Sequence, residues 1–231
     1  MNVLETWIDG VLVFGDGKVQ FSYDSGKAVN KFNCSEVRAE DIRIINNGGR
    51  IRVIEAFEGE LLTKELIIEA GVNKFIGSNV SDDILKIIVK DRYKDGAPAV
   101  GFIKGFGLKR GAFASSIAHD SHNIIAVGTT DEDIVNAINQ IISVKGGLTV
   151  SCHGITDSLT LNIGGIMTTR SCDEVANDYE KLNKLVGEYG CKMKAPFMTL
   201  SFMALLVIPD LKISDRGLFD GKKFEMVSLF L

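Results

Sequence analysis

The sequence predicts an α+β fold: a short N-terminal β meander followed by a mixed-sheet domain with helices packed on it. Three observations carry that expectation. Two Asp-Gly dipeptides, Asp9-Gly10 and Asp16-Gly17, interrupt short apolar runs near the start, and such dipeptides are the strongest local hairpin signal. From Ile51 to Gly128 the apolar segments are β-branched, partly alternating and separated by Gly-rich turns, which is strand patterning. After Thr129 the hydrophobic period lengthens from about 2 to about 3.6 residues, the helical repeat.

Residues 1–35 read as the meander, with Trp7-Ile8 and Val11-Leu12-Val13-Phe14 in its strands, and residues 36–231 as the α+β domain. The polar stretch 22–38 is the most linker-like part of the chain. A meander this small is not stable alone, so it must pack on something. The strands of the domain are expected at 52–57, 84–89, 100–103, 112–117 and 124–128. Thr129-Thr130 then precede Asp131-Glu132-Asp133, a sequence suited to an N-cap and to the positive end of a helix dipole. Ile134, Ala137, Ile138, Ile141 and Ile142 make one apolar stripe, and Gly146-Gly147 stop the helix. Strands at 148–152 and 158–163 follow. A second amphipathic helix starts near Ser171, buries Val175, Tyr179, Leu182 and Val186, and ends at Gly190. The order strand, helix, strand, strand, helix, with the apolar run 197–208 behind it, predicts a split βαβ unit with its helices on one sheet face.

Composition excludes several classes of protein. The chain has 231 residues, 45% of them hydrophobic and 24% charged, which is globular and excludes disorder, collagen and coiled coil. Its length suits one large domain or two small ones. Lys and Arg number 26 against 30 Asp and Glu, for a net charge of -4, so no basic face for nucleic acid is expected. The scattered cysteines Cys34, Cys152, Cys172 and Cys191 contain no C-x-x-C pair and read as buried reduced thiols of a cytosolic protein. The opening residues lack the basic and apolar regions of a signal peptide. The run 197–208 is roughly half of the ~20 residues that a membrane span needs. A soluble, cytoplasmic chain without a membrane partner is the expectation.

The sharpest local feature is Ala118-His119-Asp120-Ser121-His122-Asn123. Two of the three histidines in the chain stand here, three residues apart, between two apolar segments. A turn can aim two imidazoles and a carboxylate at one point, which makes His119 and His122 candidate metal ligands. The plainer reading is a polar turn whose Asp120 and Asn123 satisfy backbone donors. Nothing marks Ser121 as the nucleophile of a triad. A second feature, Lys104-Gly105-Phe106-Gly107-Leu108-Lys109-Arg110-Gly111, is basic and Gly-rich. Its amides, with Lys104, Lys109 and Arg110, can cradle an anion, although it lacks the Lys-Ser/Thr ending of a P-loop. A hairpin turn with solvated charges explains it as well. His153 reads as a surface turn residue. Asp210 and Asp215 are a candidate acid pair for which capping roles fit equally.

Gly101-Phe102-Ile103-Lys104-Gly105-Phe106-Gly107-Leu108-Lys109-Arg110-Gly111-Ala112, running into Ala114-Ser115-Ser116-Ile117-Ala118-His119-Asp120-Ser121-His122-Asn123-Ile124-Ile125, closely resembles the C-terminal region of bacterial adenine deaminases. So do Pro196-Phe197-Met198-Thr199-Leu200-Ser201-Phe202, Val207-Ile208-Pro209-Asp210-Leu211-Lys212 and Asp215-Arg216-Gly217-Leu218. The meander resembles the segment that closes the small β-sandwich of amidohydrolases. The resemblance covers essentially the whole chain. It implies hydrolysis of adenine to hypoxanthine and ammonia by a metal-dependent (β/α)₈ barrel carrying an H-x-H pair and manganese or iron. A barrel takes ~250 residues, and this chain has no H-x-H and three histidines in all.

The resemblance therefore implies the part that follows the barrel: inactive alone, needing a barrel in cis or trans, with a purine of adenine type as ligand and no metal of its own. His119, Asp120, His122 and Asn123 are the motif positions expected to carry its role, facing the barrel mouth or a neighbouring subunit. Whether the chain itself is an enzyme stays open. The alternative is a freestanding small-molecule or metal-binding α+β domain without deaminase activity, and a third reading is a metallohydrolase built on His119 and His122. The apolar face of the meander predicts a homo-oligomer or a partner.

Overall fold

The computed structural model describes residues 2–22 and 28–231; Met1 and residues 23–27, within the stretch read as linker, lie outside them. The meander forms as expected. Strands β1 (Glu5–Ile8), β2 (Val11–Gly15) and β3 (Lys18–Val19) pair antiparallel in a three-stranded sheet of their own. Asp9 and Gly10 adopt φ 49° and 78°, and Asp16 and Gly17 adopt 51° and 72°. Positive φ at both central residues is what a tight type I′ hairpin demands.

The main sheet is built from β5 (Arg50–Ala56), β6 (Thr63–Glu69), β8 (Ile84–Lys90), β9 (Ala99–Lys104), β10 (Ala112–Ser115), β11 (Ile124–Gly128), β12 (Gly147–Cys152) and β13 (Ile155–Thr160). Two short strands, β4 (Ile44–Ile45) and β7 (Phe75–Ile76), pair beside it. The order is β13-β12-β10-β11-β8-β9-β5-β6. All neighbours are antiparallel except β5 with β9. Helix α1 (Asp131–Val144) connects β11 to β12, and β10 lies between those strands, antiparallel to both. This is the split βαβ unit that the sequence predicts.

The helices do not share one face, and here the expectation fails. Side chains alternate along the central strands. Phe113, Ile125 and Val127 point to a core shared with α2 (Cys172–Glu188), α3 (Pro196–Phe202) and the C-terminal hairpin strands β14 (Leu211–Ser214) and β15 (Gly217–Asp220). Ala112, Ala114, Ile124 and Ala126 point the other way, into a core with Ile134, Ala137, Ile138 and Ile141 of α1. Both faces of the sheet are apolar, so each needs a cover. A final strand, β16 (Glu225–Val227), pairs with β15. The apolar run at 197–208 divides: Phe197, Leu200 and Met203 are core, while Met198 and Val207 are exposed.

The cap of α1 is the one read from the sequence, and α2 starts where the sequence placed it. Thr130 accepts from the Asp133 amide at the start of α1. Ser171 and Glu174 form a reciprocal capping box on α2. Cys172, the first residue of α2, is exposed, and Cys34 is half-buried; only Cys152 and Cys191 are buried. The expectation of four buried thiols therefore holds for two. No helix among the described residues is long and apolar enough to cross a membrane.

Two lysines are fully buried in the sheet layers. Lys86, 1% exposed, donates to Asp131 at the start of α1 (2.5 Å) and to the Ile42 carbonyl (3.0 Å). Lys212 on β14, 0% exposed, donates to the Leu61 carbonyl (2.7 Å) and has no carboxylate partner among the described residues. Burial pushes its ammonium down to about 8. At the far end of the chain, residues 229–231 lie against the start of β5: Arg52 N–H donates to the Leu229 carbonyl (2.9 Å) and Leu231 N–H to the Arg50 carbonyl (3.0 Å).

Candidate functional site

The 119–123 turn joins β10 to β11 and rests on three other elements. His119 N–H donates to the Ser201 carbonyl in α3 (3.1 Å), and its ring stacks on Phe202 at 4.9 Å and 19°. His122 N–H closes the turn on the Ala118 carbonyl (2.6 Å), and its left-handed φ of 51° swings its ring back to meet that of His119 at 5.5 Å and 63°. The Ser121 carbonyl accepts from the Tyr93 hydroxyl (3.0 Å). Asn123 is buried, accepting at Oδ1 from the Arg92 N–H (3.3 Å) and donating from Nδ2 to Asp215 Oδ1 (3.2 Å).

Exposure divides the turn in two. Asp120 and Ser121 are exposed, His119 and His122 are half-buried, and Asn123 anchors the turn from below. Burial lowers the pKa of His122, and the neighbouring His119 and the Arg92 charge lower it further, against the opposing charge of Asp120. The favoured species is a neutral imidazole, which can accept as well as donate a proton. Its Nδ1 is buried with no hydrogen-bond partner among the described residues.

Metal is a poor fit to this arrangement. A catalytic centre needs three protein ligands around an open position, and among the described residues no three His, Cys, Asp or Glu side chains converge. One of the two imidazoles is laid flat on Phe202. Asp210 and Asp215 are not a pair either: β14 separates them, Asp210 meets Lys222 (2.8 Å), and Asp215 meets Asn123. His153 is exposed in the β12–β13 turn.

The Gly-rich loop after β9 does hold an anion, and the anion is internal. Asp83 accepts from the amides of Gly105 (2.9 Å) and Gly107 (2.7 Å). Lys109 donates from its backbone to the Tyr189 carbonyl (2.7 Å), and Arg110 lies over the Tyr189 ring at 5.3 Å. Lys104 faces elsewhere, into an open groove of about 960 Å³ beside β6. Replacing Asp83 with Ala is expected to cost about 2 kcal/mol in urea unfolding, because two amides lose a charged acceptor. Asp83→Asn, which keeps an oxygen at the same φ of 57°, is expected to cost less.

Sequence reasoning missed Arg92, Tyr93, Phe202 and Asp83. The one local signal for the first two is an Arg-Tyr pair shortly after a buried strand; the others meet their partners only through the fold.

A three-layered α+β unit presenting a polar histidine turn, at which no three metal donors converge among the described residues, is, by comparison with known proteins, a C-terminal domain of a hydrolase family. Residues 60–225 match the family described as the adenine deaminase C-terminal domain. Adenine deaminase of Methanosarcina barkeri is 49% identical over 99% of this chain and 43% of its own length. That of Salinibacter ruber is 43% identical over 100% of this chain and 43% of its own length, and that of Borreliella burgdorferi is 41% identical over 96% and 41%. The chain belongs to the adenine deaminase family. It spans less than half the length of these curated relatives.

Proposed function

We propose that this chain works as the C-terminal part of an adenine deaminase, in which a separate metal-holding part hydrolyses adenine to hypoxanthine and ammonia and the 119–123 turn faces its substrate mouth. The observation that carries this reading is the full-length match to less than half of each relative, joined to a histidine turn at which no three metal donors converge among the described residues. In this reading the divalent metal, manganese or iron, and the activated water belong to the other part. The 119–123 turn supplies a rigid wall of hydrogen-bonding groups, with His122 neutral and able to meet a purine N–H. Residues 1–35 complete a second small sheet domain, and the enzyme works in the cytoplasm.

The test is ammonia release from adenine. The chain alone, supplied with manganese or iron, is expected to give background only. Mixed with the preceding portion of the Methanosarcina barkeri relative, it is expected to restore turnover, and His119→Ala or His122→Ala should then lower kcat/KM by roughly 100-fold, the low end of what a positioned proton-handling group contributes. Turnover by the chain alone that a chelator abolishes would refute the proposal.

The meander supplies a second expectation of the same reading. Trp7 is 58%, Ile8 57% and Val11 62% exposed, a cluster of large apolar side chains of the kind that marks interfaces. Self-association in sedimentation, lost on deleting residues 2–19, is the expected outcome. A strict monomer in both forms would contradict it.

A further inference from the structure

We infer that Arg92 is a positioning residue of the histidine turn: clamped between two aromatic rings, it fixes the turn through Tyr93 and Asn123 and sets a positive charge beside His122. The inference rests on reading the turn as functional. Arg92 follows β8 and is 4% exposed. Its guanidinium lies 5.0 Å from the Phe32 ring centre and 4.7 Å from that of Tyr93. Nη2 donates to the Tyr93 hydroxyl (2.7 Å), which in turn donates to the Ser121 carbonyl (3.0 Å). The backbone N–H of Arg92 holds Asn123, and Asn123 holds Asp215. One residue thus holds the turn on both sides of His122, at Ser121 and at Asn123.

The missing partner gives this arrangement its meaning. Nε and Nη1 of Arg92 are buried and find no hydrogen-bond acceptor among the described residues. A buried cation without a carboxylate is expensive, and an apolar side chain of similar volume would hold the same space at lower cost. The backbone at Gly165 closes over the guanidinium, so that a Cβ there would stand 1.9 Å from Nη1. The charge is therefore held in place and not neutralised, and its field falls on the groups around it. Those facing His122 are His119, Arg92 and Asp120; burial does most to disfavour a charged imidazole, His119 and Arg92 add to it, and the exposed carboxylate opposes them. A neutral His122 can accept a proton that an imidazolium cannot.

The experiment is an NMR titration of the His122 ring in the whole chain, with thermal unfolding as the check on folding. The wild-type midpoint is expected below the ordinary value of 6.5. Arg92→Gln and Arg92→Met should each raise it by about half to one pH unit, as removal of a nearby like charge does. Arg92→Lys keeps the charge and should leave the midpoint within about 0.2 unit of wild type on the same ground. Tyr93→Phe keeps the charge but cuts the bridge, and should speed amide exchange at His122 about tenfold with the midpoint unmoved, the loss of one hydrogen bond. An unchanged midpoint in a folded Arg92→Gln or Arg92→Met chain overturns the charge role. Unchanged exchange in Tyr93→Phe overturns the positioning role, and that variant serves even if neither Arg92 variant folds. No adenine and no second protein enter this titration, so failure of the deaminase reading would appear in the ammonia assay and leave these outcomes separate.

Discussion

Lys212→Met is expected to make the chain more stable at neutral pH by about 1–2 kcal/mol, a gain that vanishes in alkali. The ammonium titrates at about 8 in the folded chain and at 10.5 when unfolded. Below pH 8 both states are protonated and the folded state carries the whole penalty of a buried charge. At ~1.4 kcal/mol per unit the depression is worth about 3 kcal/mol. Part of that is offset in the variant, because the Leu61 carbonyl loses its donor, at about 1–2 kcal/mol. Between pH 8 and 10.5 the unfolded state binds the proton that the folded state has shed, so wild-type stability rises with pH. Above 10.5 the penalty is gone and Met keeps only the loss of the hydrogen bond. Urea midpoints for both proteins across pH 7 to 10.5 give the answer. Curves that stay parallel would show that Lys212 is not held in a depressed state.

Gly105→Ala is expected to have the larger effect on folding, a loss of about 3–4 kcal/mol. Gly105 has φ 116°, and a Cβ would stand 2.2 Å from the Ala56 carbonyl oxygen, which is backbone and cannot rotate away. Backbone strain of ~1–3 kcal/mol adds to overpacking of ~1–3 kcal/mol. The close approach is what lets the loop after β9 fold back beneath β5 and offer its amides to Asp83. Gly154→Ala is the control: φ is 80°, and nothing lies within 4 Å of the added carbon. It should show the strain alone, about 1 kcal/mol. Thermal melts that rank the two alike would remove the clash from the account.

The parts of this fold written in local chemistry were legible before any coordinates. Thr130 before an acidic turn, the amphipathic stripe that begins near Ser171 and the Asp-Gly turns each announce their structure locally. Strand β6 was not legible. Thr-Lys-Glu-Leu-Ile-Ile-Glu lies at the sheet edge with most side chains in solvent, so burial imposes no clean alternation on it. The faces taken by the helices were not legible either, since periodicity says which side of a helix is apolar and nothing about which side of a sheet will receive it. At the site the turn was visible because its polar residues are contiguous. Arg92, Phe202 and Asp215 come from three other elements, and what joins them to the turn is a stacked ring and a few hydrogen bonds that no spacing encodes. The anion cradle was visible as a loop, but its occupant, Asp83, was not.

The strip at 229–231 has a consequence for how the molecule is assembled. β6 takes one flank of β5 in full, and the other flank is met by β9 at Ile54 and Glu55 alone, leaving Arg50 and Arg52 to the chain's last residues. Ile51 bridges Phe230, so the ring of chain closed by that contact includes nearly every other element of the sheet. Closing a loop of this span costs on the order of 4–5 kcal/mol in chain entropy, and the contact cannot form until translation has delivered almost the entire domain. β5 is made well before residues 229–231 and waits with an open flank until they follow. The clasp at 229–231 then closes that flank.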